Sequence, residues 1–306
     1  METRKIGSLD VSVVGLGCNN FGRRLDAERT AGVIDAALDS GINFLDTADI
    51  YGAGQSEEFI GQALRSRRSQ VILATKYSKR MEGQGQGAHP DYIRTAVEAS
   101  LRRLNTDYID LYQQHDPDPD VPIADTLGAL NDLVQAGKVR EIGCSNFSAD
   151  QIRESDSAVE NGAARFVSVQ NRYSLLHRTP EAEVLPECRR LGLAFLPFFP
   201  LESGLLTGKF RQGQPIPENT RLSGNDKVLT EANLTLVEAL IGYAEAHGHT
   251  ILELAVSWLL MRPAVVSVIA GATKPEQVRA NVGAAGWQMT EAELDEIEAL
   301  IAAHRQ

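Results

Sequence analysis

The chain has 306 residues, of which 43% are hydrophobic and 23% are charged, a balance typical of a globular protein. The 30 Lys and Arg residues and the 41 Asp and Glu residues give a formal net charge of −11, which disfavours nucleic acid as a partner because its phosphates are anionic. No Pro- or Ser-rich linker divides the chain, so we expect one domain over residues 1–306.

The cysteines Cys18, Cys144 and Cys188 lie far apart and form no C-x-x-C pair, which indicates reduced thiols in a cytosolic protein. The N-terminus lacks the apolar run of a signal peptide, and no stretch reaches the roughly 18 uninterrupted apolar residues of a membrane span. The scattered histidines show no zinc-binding spacing. We therefore expect a cytoplasmic protein with neither a metal site nor a membrane partner.

In chain order, the first elements are two short runs, 4–6 and 9–11, which flank Gly7-Ser8 and predict a β-hairpin. Strand-like runs follow, several of them rich in Val, Ile and Leu with little alternation, as expected of strands that are covered on both faces. The eight runs are Val13–Gly17, Asn43–Asp46, Val71–Thr75, Ile109–Gln114, Val139–Ser145, Phe166–Gln170, Ala194–Phe198 and Val265–Ile269.

Helical patterns, with apolar residues recurring at helical spacing, lie between these strands. They cover 28–40, 91–104, 123–136, 151–161 and 181–191, and a C-terminal helix follows Thr290. Ser148 with Gln151, and Thr290 with Glu293, have the spacing of capping boxes. The stretches 79–89 and 200–229 contain Gly or Pro and predict long loops.

Alternation of strands and helices implies parallel strand pairing with right-handed crossovers. Eight such units in 306 residues suit a closed (β/α)8 barrel, and the pattern alone leaves an open, doubly wound sheet as the alternative. In a barrel, catalytic groups lie where the strands end, and the loops after the strands shape the mouth of the site. The polar residues at predicted strand ends are therefore the candidates for chemistry.

Four ionisable side chains follow three successive predicted strands: Asp46 and Tyr51, then Lys76, then His115. Together they can perform proton-coupled carbonyl chemistry, in which Tyr51 donates a proton to the carbonyl oxygen as hydride reaches the carbon. A free phenol has a pKa of about 10, and a neighbouring Lys76 ammonium would lower that pKa. Asp46 would keep Lys76 charged, and His115 would orient the carbonyl oxygen.

Taken singly, each of these residues is more often structural: a packing Tyr, a solvent-reaching Lys, a satisfied His or a capping Asp. Together they lie in segments that resemble the aldo-keto reductase family and follow the family's order. The segments are GINFLDTADIYGAGQSEEFIG, ILATKYS, YIDLYQQHDPDPD, GKVREIGCSNF, PLESGLLTGKF and SVIAGATKPEQVRANVGA. The resemblance covers nearly the whole chain and implies a (β/α)8 TIM barrel with an N-terminal hairpin at its base and a C-terminal helix.

The resemblance also implies an activity, the NAD(P)H-dependent reduction of an aldehyde or ketone to the alcohol. Tyr51 would be the general acid, and Asp46, Lys76 and His115 would complete a catalytic tetrad. Two other functions stay open: a channel-type or regulatory cofactor-binding subunit with weak catalysis, and an NAD-linked sugar dehydrogenase on the same scaffold. The partner is a small-molecule carbonyl substrate, and a monomer and a homo-oligomer are both compatible with the sequence.

Cofactor-binding residues are implied in the same way. Ser145, Asn146 and Gln170 would bind the nicotinamide carboxamide, and Phe198 would stack on the nicotinamide ring. Helix capping by Asn146 and barrel packing by Phe198 are the structural alternatives. The other implied cofactor-binding residues are Leu201, Ser203, Leu205 and Lys209 in the loop after strand seven, and Gly271, Thr273, Lys274, Gln277 and Asn281 after strand eight.

The helix after strand eight would present its N-terminus to a phosphate, with Thr273 as its N-cap. In the resembling family this region binds the adenosine 2′-phosphate, but this chain has Gly271 and Thr273 where many relatives have Arg or Lys. NADPH is the expected cofactor, with Lys274 or Lys209 supplying the charge, and NADH is the alternative. Candidate walls of the substrate pocket are Phe21, Tyr77, Phe199 and Trp287.

Overall fold

Two β-sheets form the framework of the computed structural model, which describes residues 1–83, 85–217, 220, 222 and 228–304. Over these residues, strands β1 (Thr3–Ile6) and β2 (Leu9–Ser12) form the predicted antiparallel hairpin. The second sheet has eight parallel strands. They are β3 (Val14–Gly17), β4 (Phe44–Asp46), β5 (Ile72–Tyr77), β6 (Ile109–Gln114), β7 (Val139–Ser145), β8 (Phe166–Arg172), β9 (Ala194–Phe198) and β10 (Val268–Gly271).

The eight-stranded sheet curls into a barrel. Its strands pair in chain order from β3 to β9, and β10 returns to pair with β3, where Val268 lies opposite Val14. The seam between β9 and β10 is joined by an isolated bridge between Phe195 and Val265. The (β/α)8 barrel expected from the sequence is thus confirmed, and the open doubly wound sheet is not the fold.

One predicted strand was displaced. The sequence predicted the eighth barrel strand at Val265–Ile269, whereas β10 covers Val268–Gly271. The residues before it bond across the seam instead: the Phe195 N–H donates to the Ala264 carbonyl at 2.7 Å, and the Val266 N–H donates to the Phe195 carbonyl at 3.1 Å. The first part of this apolar run therefore bonds to β9 and the second part pairs with β3. The sequence does not mark where the pairing changes.

Helices cover the outside of the barrel. The capping boxes predicted at Ser148 with Gln151 and at Thr290 with Glu293 are both confirmed. The stretches 151–161 and 181–191 had been predicted too long, and three helices had not been predicted at all. The helices are α1 (Ala27–Asp39), α2 (Gln55–Leu64), α3 (Pro90–Leu104), α4 (Ile123–Gln135), α5 (Ala149–Ser157), α6 (Val184–Leu191), α7 (Glu231–Ala246), α8 (Ile251–Leu260), α9 (Pro275–Gly283) and α10 (Glu291–Ala303).

An apolar layer fills the lower part of the barrel. Side chains of the hairpin pack into it, so the hairpin closes the base as expected; this layer comprises Ile6, Leu9, Val11, Phe44, Ala74, Leu111, Ala194, Leu196, Val266 and Ile269. Side chains on a strand point to the same face at every second residue. The next inward positions after Phe44, Ala74 and Leu111 are therefore Asp46, Lys76 and Gln113, so a polar layer lies directly above the apolar one.

Both predicted long loops lie at this upper end. In the stretch 79–89, Met81 and Gly85 form a small bridge. The stretch 200–229 begins with a 3₁₀ turn at Glu202–Thr207, and part of that prediction, at 218, 219, 221 and 223–227, lies outside the described residues. Within the described residues, no helix is both long and apolar enough to cross a lipid bilayer, and no cluster of acidic, His and Cys side chains has the arrangement of a metal site.

Candidate active site

The four side chains proposed for catalysis converge at the upper end of the barrel. The fully buried Lys76 ammonium donates to Asp46 Oδ2 at 2.7 Å and to the Thr47 carbonyl at 2.9 Å. The same ammonium lies 5.4 Å from the centre of the Tyr51 ring. The Tyr51 ring meets the His115 ring edge to face, with 6.0 Å between the centres and an angle of 83°. Carboxylate, ammonium, phenol and imidazole are thus neighbours.

Two glutamine side chains complete the surroundings of Asp46. Gln113 Nε2 donates to Asp46 Oδ1 at 3.1 Å, and Gln170 Nε2 donates to the same oxygen at 2.9 Å. The sequence analysis did not identify Gln113, although it lies two residues beyond the inward-facing Leu111 and alternation would have placed it. With Lys76 on its other oxygen, Asp46 is a fully bonded carboxylate, as burial of a charge requires.

The pKa of Tyr51 differs from the sequence-based expectation. Burial raises the pKa of Tyr51 above its usual value, while the charge of Lys76 acts to lower it. The expected effect of Lys76 is present, but desolvation of the phenolate outweighs it, so a net decrease was the wrong expectation. Tyr51 therefore holds its proton near neutral pH, which is the state that a proton donor needs.

Near neutral pH, Lys76 is charged and His115 is neutral. Burial opposes the charge of Lys76, but attraction to Asp46 and Tyr51 outweighs it and raises the pKa of Lys76. Burial, together with the charges of Lys76 and Lys79, lowers the pKa of His115 to about 2. Its imidazole is therefore neutral at physiological pH, and it can hydrogen-bond to a substrate oxygen without transferring a proton.

A tight turn delivers Tyr51 to this position. Backbone angles φ are positive at Gly52, Ala53 and Gly54, immediately before α2 begins. At Gly52 a Cβ atom would lie 2.9 Å from the Gly22 Cα, so glycine is required by space as well as by conformation. The Ser56 hydroxyl, on the first turn of α2, donates to the Cys18 carbonyl at 3.1 Å and ties this turn to the loop after β3.

A cavity of about 690 Å³ opens beside the four side chains, within the size range of small-molecule sites. Its wall includes Asp46, Tyr51 and His115, and Lys76 supports it from below. It also includes most of the residues that the resemblance assigned to the cofactor. These are Ser145, Asn146, Gln170, Phe198, Leu201, Ser203, Lys209, Gly271, Thr273, Gln277 and Asn281.

Some predicted residues lie elsewhere. Leu205 is fully buried in the core, and Lys274 is exposed; neither belongs to the described wall of the cavity. Of the four candidate pocket walls, Phe199 lines the cavity, but Phe21, Tyr77 and Trp287 are buried in the core between the barrel and its helices. Large aromatic side chains near strand ends were thus mostly core residues, because burying an aromatic ring stabilises the fold wherever it packs.

Two arginines that were not predicted also lie in the cavity wall. Arg23 and Arg24 follow β3 and line the cavity together with Lys79 and Lys209, whereas Asp46 is the carboxylate on the described part of the wall. Burial and then the charge of Arg24 lower the pKa of Lys209, so these two cations are close. In a chain of net charge −11, such a concentration of cations favours an anionic ligand. The position of both arginines after a barrel strand was the signal that would have found them.

The residues assigned to the carboxamide already bond to the protein. The Ser145 hydroxyl donates to the Gln170 carbonyl at 2.7 Å. Asn146 Nδ2 donates to the His115 carbonyl at 3.0 Å and to Asp116 Oδ1 at 2.8 Å. Ser148, not Asn146, caps α5. Because Gln170 donates to Asp46, this group joins the cofactor end of the cavity to the four central side chains.

The turn before α9 bonds to a side chain of that helix. Lys274, not Thr273, occupies the N-cap position, so that prediction was wrong. The Thr273 N–H donates to Gln277 Oε1 at 2.7 Å, and its hydroxyl donates to the same oxygen at 3.1 Å. Thr273 precedes the N-cap, so these two bonds hold the turn before α9 against the first turn of the helix.

A buried carboxylate stabilises the loop after β9. Glu202 is 2% exposed, forms an ion pair with Arg172 at the end of β8, and accepts a hydrogen bond from the Ser174 hydroxyl at 2.7 Å. The backbone angle φ is +44° at Glu202 and +57° at Ser203, a region that L-residues rarely adopt. The ion pair thus holds a strained segment against the cavity.

Comparison with known proteins shows the family of the chain. The family model described as "Aldo/keto reductase family" matches residues 13–302. The chain is 35% identical to "Probable aldo-keto reductase 1" of Glycine max, over 96% of this chain and 87% of that protein. It is 37% identical to "Aldo-keto reductase YhdN" of Bacillus subtilis (strain 168), over 96% of this chain and 91% of that protein.

A solved structure matches the whole barrel. It is the glycerol dehydrogenase AKR11B4 from Gluconobacter oxydans, with a TM-score of 0.86 and 32% identity over 99% of this chain and 96% of that chain. The family match, the similar sequences and the shared barrel lead to one conclusion: this protein is an oxidoreductase that belongs to the aldo-keto reductase family.

Proposed function

We propose that the protein reduces an aldehyde or ketone to the alcohol with a nicotinamide dinucleotide, and that Tyr51 is the general acid. One observation carries this proposal. A buried Lys76–Asp46 ion pair lies beside Tyr51 and His115, at one end of a cavity that is lined with cations. Buried charge is costly, and here it surrounds a phenol that faces a cavity.

The residues of the cavity fit a nicotinamide dinucleotide. Arg23, Arg24 and Lys209 would hold its phosphates by charge. Ser145 and Gln170 would hold the carboxamide, and Phe198 offers a ring face for the nicotinamide. When bound, the nicotinamide would supply hydride to the carbonyl carbon, or accept it from the alcohol in reverse.

The protein's own residues handle the proton. Tyr51 donates its hydroxyl proton to the carbonyl oxygen, which becomes the alcohol hydroxyl, and the phenolate left behind is stabilised by the Lys76 ammonium. Asp46 keeps that ammonium charged and in place through the 2.7 Å bond. His115, being neutral, orients the carbonyl oxygen without competing as an acid. Proton return from solvent resets Tyr51 after the alcohol leaves.

The substrate is a small carbonyl compound, and the cofactor is expected to be NADPH, with NADH as the alternative. Within the described residues, the cavity wall includes the cations Arg24 and Lys209. Lys274, at the start of α9, is exposed and does not belong to that wall. The similar glycerol dehydrogenase makes small polyols reasonable substrates for the reverse reaction. A panel of aldehydes, ketones and polyols, followed by the absorbance of NADPH and NADH, tests both points.

The decisive test is Tyr51→Phe. The variant should lose about 10²–10⁴-fold in kcat, because the proton donor is gone, and should bind cofactor as the wild type does. Tyr112→Phe is the matched control: Tyr112 is fully buried and its hydroxyl has no hydrogen-bond partner among the described residues, so its removal should leave kcat unchanged. Turnover of Tyr51→Phe at the wild-type rate would exclude the proposed mechanism.

A further inference from the structure

A second group of buried charges lies behind the proposed site, and the mechanism above does not use it. Glu57 on α2 is fully buried; it accepts a hydrogen bond from the Thr75 hydroxyl at 2.6 Å and forms an ion pair with Arg103 of α3 at 2.7 Å. Asp49, in the turn between β4 and α2, is 2% exposed and acts electrostatically on Glu57 and Arg103. Two buried carboxylates are therefore under the influence of one guanidinium, and Glu57 is the one that forms an ion pair with it.

The backbone joins this group to the catalytic pair. The Asp49 N–H donates to the Lys76 carbonyl at 3.1 Å. Thr75 precedes Lys76 on β5, so its side chain points to the outer face while that of Lys76 points inward. Tyr51 follows Asp49 by two residues, in the turn that begins α2. A change of charge at Asp49 is therefore felt at both groups that handle the proton.

The Asp49 carboxyl is not fully satisfied. Its Oδ1 is buried and has no hydrogen-bond partner among the described residues. Burial, and then the negative charge of Glu57, raise the pKa of Asp49 to about 7, while a hydrogen bond from the Ile50 backbone and the charges of Arg103 and Lys76 oppose the rise. Tyr92 of α3 and Tyr112 of β6 also face it, and both stay neutral because burial raises their pKa values. Asp49 thus loses its proton in the physiological range.

We propose that Asp49 is a positioning residue whose charge, acting through Lys76, sets how tightly Tyr51 holds its proton. This inference rests on the proposed function. The sign follows from Coulomb's law: an ionised Asp49 makes the surroundings of Tyr51 more negative, so the phenolate is disfavoured and the phenol is favoured. A neutral Asp49 does the reverse. Reduction needs the phenol and alcohol oxidation needs the phenolate, so the charge of Asp49 biases the direction of catalysis.

The pH dependence of alcohol oxidation tests the proposal. In the wild type, kcat should show an inflection near pH 7 in addition to the ionisation of Tyr51. Asp49→Asn should lack that inflection, and its Tyr51 midpoint should move to lower pH, because a negative charge that disfavours the phenolate is gone. Glu57→Gln should move the inflection to lower pH, because the like charge that raises the pKa of Asp49 is gone.

Asp110→Asn is the matched control. Asp110 is also buried, and it lies near the start of β6, toward the base of the barrel. There it bonds to Arg68 and Arg140. Its replacement should leave the inflection in place. An unchanged inflection in Asp49→Asn, or its loss in Asp110→Asn, would refute the role of Asp49, because a merely structural effect would not follow the titration of one carboxyl.

A second measurement does not depend on turnover or on a folded variant. Infrared difference spectra of the wild type should show a protonated carboxyl band that disappears between about pH 6 and pH 8, the interval around a pKa of about 7. If the band is already absent at pH 6, the proposal is wrong. A wild type that acts on no carbonyl or alcohol would instead refute the proposed function, and this inference with it; an active enzyme with an unaltered Asp49→Asn profile refutes this inference alone.

Discussion

Two buried carboxylates, Asp110 near the base of the barrel and Asp49 near its upper end, are hydrogen-bonded to different degrees. Near the base, Asp110 accepts from Arg68 Nη2 at 2.7 Å and from the Leu73 N–H at 2.9 Å on one oxygen, and from Arg140 Nη1 at 2.8 Å on the other. Near the upper end, Asp49 keeps an unpartnered oxygen among the described residues. Complete bonding stabilises a fold, whereas an unmet polar group is tolerated where function requires it.

Backbone strain is distributed in the same way. Most non-glycine residues with positive φ follow barrel strands at the upper end, and Asn105, which ends α3, is the exception at the base. Those at the upper end are Ala53, Ser78, Asn146, Phe199, Glu202 and Ser203. Positive φ costs about 1–3 kcal/mol at such residues, so the upper end is held in place by the rest of the structure. Substitutions at the two ends should therefore fail in different ways.

After Tyr51→Phe, the largest expected effect is that of Asp46→Asn at the upper end. Asp46→Asn should lower kcat by about 10²–10³-fold, because Lys76 loses the charge that holds it in place beside Tyr51. Steady-state kinetics at saturating substrate measures the loss, and the melting temperature is recorded alongside. A variant that melts with the wild type but turns over normally would show that the Lys76–Asp46 pair has no part in catalysis.

At the base, the matching substitution should cost stability and not activity. Asp110→Asn leaves Arg68 and Arg140 without their carboxylate and should lower the free energy of unfolding by about 3 kcal/mol. Urea denaturation checks this value, and kcat per folded molecule should equal that of the wild type. A fall in kcat with unchanged stability would mean that the two ends do not divide these tasks.

A smaller effect is expected in the strained loop after β9, which an ion pair holds in place. Glu202→Gln removes the ion pair with Arg172 that holds the strained loop against the cavity. Cofactor affinity should fall about 10-fold, or about 1.4 kcal/mol, with little change in kcat. Fluorescence titration with NADPH and NADH measures the affinity. If kcat also falls about 10-fold, the substitution disturbs Tyr51 and its neighbours and not cofactor binding alone.

The smallest expected effect concerns cofactor choice. Lys274→Met should raise the KM for NADPH about 3-fold and leave the KM for NADH unchanged, because an exposed charge contributes well under 1 kcal/mol per contact. Lys209→Met removes a partly buried cation from the cavity wall and should therefore weaken the binding of both NADPH and NADH. If Lys274→Met changes neither KM value, the exposed lysine does not recognise the 2′-phosphate.

How far the sequence predicts the fold depends on how strongly each element is patterned. Strands β6, β7 and β9 begin and end at the residues that the sequence predicts. Helices α7 and α8 were missed because their apolar residues are spread around the helix, so no amphipathic stripe marks them. The predicted strand boundary was wrong where one apolar run pairs with two neighbouring strands, as it does just before β10.

The site follows the same logic. Asp46, Lys76 and His115 were predictable because barrel topology brings strand ends together. The contact of Thr273 with Gln277, and the charge state of Asp49, were not, because each depends on distances between side chains that adjacency in sequence does not give. Burial, which raises the pKa of Tyr51 against the pull of Lys76, is likewise a property of the folded molecule.

The way the ring of strands closes has a consequence for biosynthesis. Strand β3 is the first of the ring to be synthesised and β10 is the last, yet they are hydrogen-bonded neighbours. Until β10 has left the ribosome, β3 and β9 each present a row of unpaired backbone groups, and such open edges invite association with other chains. The edges of β3 and β9 are therefore covered only once the last strand has joined the ring.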